Sequence, residues 1–211
     1  VWITGGGSGI GRALALQFAK EGASVAVSGR REDRLQEVVE GVQAKGGRGL
    51  AVRCDVTDEA SVAEAVQKVV RAFGGLDVAV ANAGFSVAGR IEKLSAADWR
   101  RQLDVNVIGV AMTARYAIPN LRERKGRLAL IGSIASMLST PGIGAYSASK
   151  YAVRAIGQAL AAELHGSGVS CTTIHPGYIE SEIARVLAPL GTVMYRQREG
   201  WVKERGPWPE D

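Results

Sequence analysis

The chain has 211 residues, of which 46% are hydrophobic and 6% aromatic, which suits one α/β domain with an ample core. Its formal net charge of +5 is spread without a dense block of lysine and arginine, which argues against nucleic-acid binding. The two cysteines and two histidines lack metal-ligand spacing, so we expect no metal site and reduced thiols in a cytoplasmic protein. No signal peptide or membrane span is evident.

Strand-like and helix-like patterns alternate along the chain, which predicts one domain built on a doubly wound parallel sheet with helices on both faces. The strands are expected near 1–4, 24–29, 48–54, 77–81, 126–132 and 169–175. The helices are expected near 9–21, 31–45, 58–73, 97–124 and 145–166.

The first strand runs into a glycine-rich loop with the spacing T-G-x-x-x-G-x-G, formed by Thr4, Gly5, Gly9 and Gly11. Glycines let the backbone turn tightly and approach a pyrophosphate at the N-terminus of the following helix. Such a loop could be a plain turn, and its spacing differs from G-x-G-x-x-G. The order of strand, loop and amphipathic helix nevertheless favours nucleotide binding.

The end of the second strand bears on the choice of cofactor. NAD-binding proteins place an acid here to hold the ribose 2′-hydroxyl, but this chain has Gly29. Arg30 can pair with a 2′-phosphate, assisted by Ser28 and Arg31. This pattern predicts NADP rather than NAD. The alternative is that both arginines simply begin a solvated helix.

Three further residues have the chemistry of proton transfer. Ser133 ends a buried-strand run, where it could cap a turn or lie in an active site at the strand's carboxyl end. Tyr146 and Lys150 are four residues apart on a predicted helix, so they share one face. An ammonium lowers the pKa of a nearby phenol, which suits proton exchange with an alcohol oxygen. Chance pairing on a solvated helix is the alternative.

With these motifs in this order, residues 1 to about 182 resemble the short-chain dehydrogenase/reductase family, whose fold is Rossmann-like. The resemblance adds Asp55 as an adenine contact, the turn Asn82-Ala83-Gly84, and the turn Pro176-Gly177. It implies the following cofactor-binding residues: Thr4, Gly5, Ser8, Gly9, Ile10, Gly11, Ser28, Arg30, Arg31, Asp55, Val56, Asn82, Ala83, Gly84, Tyr146, Lys150, Pro176, Gly177, Ile179 and Ser181.

The resemblance also implies hydride transfer between a nicotinamide and a small carbonyl compound or secondary alcohol. Its catalytic tetrad maps to Asn106, Ser133, Tyr146 and Lys150. Ser133 would bind the substrate oxygen and Tyr146 would transfer its proton. Lys150 would lower the tyrosine pKa and hold the nicotinamide ribose. Asn106 would interrupt its helix and hold a water that links Lys150 to solvent.

The substrate pocket is expected to be mostly apolar, which suggests a lipophilic carbonyl compound. Its candidate residues are Ser86, Ile134, Met137, Leu138, Ile143 and Tyr178. Basic residues near the C-terminus leave an anionic acyl thioester as the alternative; they are Arg185, Arg196, Arg198, Lys203 and Arg205.

Two functions from other classes remain open: a non-catalytic dinucleotide sensor, and an interaction protein that acts as an oligomer. A helical row of small residues predicts a homodimer or homotetramer in addition to catalysis. The row consists of Ala152, Ala155, Ala159 and Ala162.

The ends of the chain differ from the family pattern. The sequence opens inside the first strand, and it stops where relatives add one more helix and strand. We therefore expect a chain truncated at both ends and a sixth strand with an open edge, which favours self-association. Residues 181–211 are expected to form a mobile substrate-binding segment.

Overall fold

The structure, a computed structural model, describes residues 1–179 and the backbone of residues 193–197 and 200–204. The strands are β1 (Trp2–Thr4), β2 (Val25–Gly29), β3 (Gly49–Arg53), β4 (Val78–Ala81), β5 (Arg127–Ile131), β6 (Ser170–Ile174), β7 (Val193–Gln197) and β8 (Gly200–Glu204). The helices are α1 (Gly9–Lys20), α2 (Glu32–Gln43), α3 (Glu59–Phe73), α4 (Ala96–Leu103), α5 (Gly109–Arg124) and α6 (Gly144–Glu163). Short 3-10 turns cover Ile91–Lys93 and Ile134–Ser136.

Six strands form a parallel sheet in the order β3-β2-β1-β4-β5-β6. Trp2 pairs with Ala26 of β2 on one side and with Ala79 of β4 on the other. The strand order therefore reverses between β1 and β4, and open α/β sheets bind ligands in the crevice at such a switch point. The predicted doubly wound fold is confirmed.

Each face of the sheet has its own apolar core because neighbouring side chains on a strand point to opposite faces. Trp2 packs with residues of α3, α5 and α6, whereas Ile3 packs with residues of α1 and α2. The buried Trp2 indole donates a hydrogen bond to the Ser28 hydroxyl over 3.1 Å. This bond satisfies a polar group that would otherwise be costly to bury.

Local signals explain several helix ends. The Asp58 side chain accepts a hydrogen bond from the Ala60 amide at the start of α3, and Gly74 ends that helix with φ = 76°. Ser95 and Asp98 form a reciprocal capping box at the start of α4. Serine and aspartate are preferred side chains at helix N-termini, and glycine is the preferred residue just after a helix C-terminus.

Two elements differ from the sequence prediction. The helix expected over 97–124 is divided by a π-helical segment, Asp104–Ile108, which lies between α4 and α5. In the C-terminal stretch, where no regular element was expected, β7 and β8 form a separate antiparallel pair. The sequence there has β-branched and aromatic residues on both sides of a two-residue connection, which favours a hairpin over the turns suggested by its glycines and prolines.

Candidate active site

The loop between β1 and α1 is shaped by backbone contacts that exclude side chains. Gly5 has φ = 64° and Gly9 has φ = 51°. A Cβ atom on Gly5 would lie 2.7 Å from the Ala83 Cα atom, and one on Gly11 would lie 2.6 Å from the Gly5 carbonyl oxygen. The loop therefore leaves a cradle of backbone at the N-terminus of α1, and such a cradle fits the pyrophosphate of a dinucleotide.

Two side chains fasten this loop to the end of β4. The Asn82 amide nitrogen donates to the carbonyl oxygens of Thr4 and Gly5, over 2.9 and 3.1 Å. In return, the Thr4 hydroxyl accepts hydrogen bonds from the backbone N–H groups of Asn82 and Ala83, at 3.1 and 3.2 Å. Thr4 and Asn82 thus set the width of the crevice at the switch point.

The arginines after β2 lie along the rim of the same cradle. The Arg31 guanidinium donates to the Ser8 hydroxyl over 3.2 Å. Burial alone would raise the pKa of Asp55, but hydrogen bonds from Thr57 and the charges of Arg30 and Arg53 lower it overall. The rim is therefore positively charged beside an ionised carboxylate.

Ser28 and Val56 are less accessible than the sequence suggested. The Ser28 side chain is fully buried and accepts the Trp2 hydrogen bond, which corrects the prediction that it assists Arg30 with a phosphate. Val56 belongs to the core that includes Trp2, and a Cβ atom on Gly109 would lie 2.7 Å from it. The Val56 side chain is therefore largely occupied by packing in this core.

Ser133, Tyr146 and Lys150 meet beyond the carboxyl end of β5. Hydrogen bonding with Ser133 lowers the pKa of Tyr146, but burial is the larger influence and raises it overall. The Lys150 ammonium lies 5.7 Å from the centre of the Tyr146 ring and donates to the Ile131 carbonyl oxygen over 2.8 Å. Burial lowers the pKa of Lys150 to about 8.

This geometry corrects one electrostatic expectation. The sequence predicts that Lys150 lowers the pKa of Tyr146, whereas the structure has that pKa raised by burial. The reason is that Lys150 is itself buried and directs its ammonium to Ile131, so it does not offset the desolvation of the phenol.

Asn106 lies at the centre of the π-helical segment and is fully buried, which confirms that it interrupts its helix. Its amide oxygen accepts from the Phe85 amide at 3.0 Å, and its amide nitrogen donates to the Phe85 carbonyl at 3.0 Å. The same nitrogen donates to the Ser149 hydroxyl over 3.1 Å. A Cβ atom on Gly84 would lie 3.3 Å from the Asn106 oxygen and 3.7 Å from the Lys150 ammonium, so this glycine permits their close approach.

Gln102 is a site residue that the sequence analysis missed. It is fully buried, donates to the Phe85 carbonyl over 2.9 Å, and accepts from the Val87 amide over 2.7 Å. With Asn106 it forms an amide clamp on the segment after β4. Gln102 lies four residues before Asn106 and so on the same helix face, which was the available sign of its location. A polar helix residue, however, ordinarily faces solvent.

The turn after β6 lies against the Ser133 turn. The Gly132 amide donates to the Ile174 carbonyl over 2.7 Å, and the Ile134 amide donates to the Pro176 carbonyl over 3.0 Å. Pro176 and Gly177 are thereby placed beside the candidate active site. Ile179 is partly exposed, and Ser181 lies outside the described residues.

Large apolar side chains are exposed around this edge of the sheet. Of the predicted pocket residues, Ile134, Met137, Leu138 and Tyr178 are between 44% and 62% exposed. Ser86 is buried, and its hydroxyl has no hydrogen-bond partner within the described part of the chain. The basic residues considered for an anionic substrate have side chains outside the described residues.

The comparison with known protein families is decisive. The family model for short chain dehydrogenase matches residues 1–189. The chain belongs to the short-chain dehydrogenase family. It is 37% identical over 188 residues to an uncharacterised oxidoreductase of Staphylococcus aureus, covering 89% of this chain and 80% of that protein. It is 36% identical over 184 residues to a hydroxynaphthalene reductase of Aspergillus fumigatus, covering 87% and 67% of the two chains.

Solved structures of short-chain dehydrogenases are similar to this chain in fold and sequence. A short-chain dehydrogenase/reductase from Mycobacterium marinum has a TM-score of 0.86 and 33% identity, over 89% of this chain and 75% of that one. An alcohol dehydrogenase from Thermococcus sibiricus, complexed with 5-hydroxy-NADP, has a TM-score of 0.82 and 31% identity, over 87% and 78%. A Burkholderia phymatum relative in complex with NAD has a TM-score of 0.84 and 32% identity, over 88% and 68%. Members of this family thus bind nicotinamide dinucleotides of the NAD and the NADP type. This chain is an oxidoreductase of the family.

Two absences concern the described residues alone. Among them, no group of histidine, cysteine and acidic side chains could hold a metal ion. No helix of the described chain has the length and apolar character needed to cross a membrane.

Proposed function

We propose that this chain is an NADP-preferring oxidoreductase that interconverts a small carbonyl compound and its secondary alcohol. The observation that carries this proposal is the meeting of Ser133, Tyr146 and Lys150 beside the glycine cradle, at the carboxyl ends of β4 and β5. A non-catalytic sensor would bind the dinucleotide but would have no use for this proton-transfer group.

The bound nicotinamide would supply or accept the hydride at the substrate carbon. In the reductive direction, the Ser133 hydroxyl donates a hydrogen bond to the carbonyl oxygen, and Tyr146 gives its proton to that oxygen. Burial raises the pKa of Tyr146, so its phenol carries its proton at neutral pH. Reduction requires the phenol in this protonated form, and transfer of the proton to the substrate oxygen would accompany hydride transfer, because the alkoxide formed there is a stronger base than the phenolate.

Lys150 is suited to restoring the proton on Tyr146. Its pKa of about 8 lies close to neutral pH, so both its ammonium and amine forms are accessible. Lys150 would also hold the nicotinamide ribose, and a water held beside Asn106 would connect the ammonium with solvent. Because the Asn106 amide already bonds Phe85 and Ser149, its first role is to hold the loop that such a water would border.

The preference for NADP rests on charge at the end of β2. A Cβ atom on Gly29 would meet only a Leu35 methyl carbon at 3.7 Å, so this position has room but no carboxylate. Arg30 and Arg31 provide the positive rim that a 2′-phosphate needs. NAD remains the alternative cofactor.

The apolar rim favours a lipophilic carbonyl compound. Exposed Ile134, Met137, Leu138 and Tyr178 offer contact area without a fixed charge. The relatives include a hydroxynaphthalene reductase, whose name indicates an aromatic substrate of this kind.

We also infer that the active form is a homodimer or homotetramer. Along α6, Ala155, Ala159 and Ala162 are exposed and Ala152 is half-buried, so the described part of the chain does not cover this row of small residues. Small side chains let helices from two subunits approach closely.

The direct experiment is a screen of ketones with NADPH and NADH, and of the matching alcohols with the oxidised cofactors. We expect NADPH-dependent reduction of aromatic or cyclic ketones, followed by the absorbance of the reduced nicotinamide. Tight NADPH binding without turnover of any ketone or alcohol would favour the dinucleotide sensor instead.

A further inference from the structure

The turns that follow β5 and β6 are joined by hydrogen bonds that the proposed chemistry does not use. The backbone bonds from Gly132 to Ile174 and from Ile134 to Pro176 extend the sheet ladder on both sides of Ser133. Backbone hydrogen bonds alone therefore attach the Ser133 turn to the turn that follows β6.

Two polar side chains add a second connection. Ser136 is fully buried, and its hydroxyl donates to the Ser133 carbonyl oxygen over 2.6 Å. The Nδ1 atom of His175 lies 2.8 Å from the Ser136 hydroxyl oxygen and 3.3 Å from the Ser133 carbonyl oxygen. Because a hydroxyl has one proton, which here goes to Ser133, His175 must donate the other bond from a protonated Nδ1.

The imidazole also fits closely against the backbone. A Cβ atom on Gly132 would lie 2.7 Å from the Nδ1 atom of His175, so a side chain at position 132 would displace the ring. The Ser133 peptide is thus held by two backbone bonds, a buried hydroxyl and an imidazole that directly follows the neighbouring strand β6.

We propose that His175 and Ser136 are positioning residues that orient Ser133 toward Tyr146. This inference rests on the proposed function, in which the Ser133 hydroxyl binds the substrate oxygen. His175 precedes Pro176 directly, so the same brace fixes the distance between the substrate-binding serine and the turn proposed to contact the nicotinamide. Loss of the brace should lower kcat without raising the KM for NADPH.

The first test compares three variants in the reduction of one ketone by NADPH. The ketone is whichever of cyclohexanone, acetophenone and ethyl acetoacetate the wild type reduces fastest. His175→Leu should lower kcat by about tenfold to a hundredfold, since small misplacements near the reacting atoms cost this much. His175→Asn should recover most of the loss, because its amide N–H can occupy the place of Nδ1–H. His165→Leu, at the other and exposed histidine, should behave as wild type.

The second test repeats His175→Leu in a Ser133→Ala background. If His175 acts through Ser133, the loss should disappear there because the oriented hydroxyl is already absent. An equal fall in kcat in both backgrounds would overturn the positioning role. Normal turnover of Ser133→Ala alone would instead contradict the proposed function, so the two failures are distinguishable.

The third test needs no turnover. The chain has two histidines, so long-range proton–nitrogen NMR spectra of wild type and His165→Leu assign the His175 ring. We expect the Nδ1–H form, with that proton protected from exchange by its hydrogen bond. A neutral ring protonated on Nε2 would overturn the assigned bond to Ser136.

Discussion

Lys150 shows how burial, rather than a neighbouring charge, sets the chemistry of a single side chain. Its ammonium is enclosed between α6 and the end of β5, with the Ile131 carbonyl as its hydrogen-bond acceptor. Burial lowers its pKa to about 8 from an ordinary value of 10.5. Protonation therefore favours the unfolded chain between these two pH values.

This shift predicts a pH-dependent difference in stability between wild type and Lys150→Met. Below pH 8 the folded protein must hold the buried ammonium, whereas by pH 10.5 the unfolded chain has also lost the proton. As pH rises through this window, the free energy of unfolding of wild type should gain about 3 kcal/mol relative to the variant. Urea unfolding at several pH values measures it, and parallel pH curves for the two proteins would contradict the buried ammonium.

At this scale the sequence predicted which candidate groups lie together but not their environment. Spacing placed Tyr146 and Lys150 on one helix face, and the structure brings Ser133 to them. Because sequence shows charges but not desolvation, it did not predict that burial is the larger influence on the pKa of Tyr146. Gln102, Ser136 and Ser28 were missed or misassigned because burial of a small polar residue depends on tertiary contacts.

The loop between β1 and α1 is the element on which we expect cofactor binding to depend, and substitution of Gly5 tests this expectation. Gly5 and Gly46 both have positive φ, 64° and 78°, but only Gly5 lacks room for a side chain. Gly46→Ala should cost about 1–2 kcal/mol of stability through backbone strain and leave NADPH binding intact. Gly5→Ala adds a clash with Ala83 and should also weaken NADPH binding by about tenfold or more.

The two alanine variants form a matched pair, measured by urea unfolding and by fluorescence titration with NADPH. Equal stability and equal NADPH affinity in both would mean that the Gly5 contact with β4 has no role in shaping the cradle.

The residues at the end of β2 predict that substitutions there can change the preference between NADPH and NADH. In Gly29→Asp/Arg30→Ala, the new carboxylate meets the ribose hydroxyls and repels a 2′-phosphate that has also lost its arginine. Binding should shift from NADPH toward NADH, with NADPH weakened about tenfold to a hundredfold by the lost charged hydrogen bond. Arg30→Ala alone should weaken NADPH without improving NADH. Tighter binding of NADH than NADPH by wild type, at equal salt, would contradict the role of Arg30.

The elements were largely predictable because apolar runs and glycine turns mark parallel strands and their connections. The helix expected over 97–124 is the exception. The helical pattern over 97–124 does not show that Asp104–Ile108 takes a π-helical turn, and only the family resemblance implied an interruption at Asn106. That turn is fixed by the bonds of Asn106 to Phe85 and Ser149, which are distant in sequence.

At the scale of the whole molecule, α6 has a small-residue face that the described residues leave exposed, and assembly through it can be tested. Ala155→Glu would place a charge in the proposed interface, so it should shift the protein toward monomer in sedimentation velocity. Ala44→Glu changes an equally exposed alanine at the end of α2 and should leave the assembly unchanged. A monomeric wild type would contradict the predicted homodimer or homotetramer.

The most direct measurement of the central claim is the turnover of Tyr146→Phe beside its NADPH affinity. The substitution keeps the ring in place and removes only the hydroxyl, whose proton we propose that Tyr146 gives to the substrate oxygen. Turnover should fall at least about a hundredfold while NADPH binding stays unchanged. Tyr151→Phe, at an exposed tyrosine in the next turn of α6, should retain full activity. Near-normal turnover of Tyr146→Phe would contradict the assignment of Tyr146 as the proton donor.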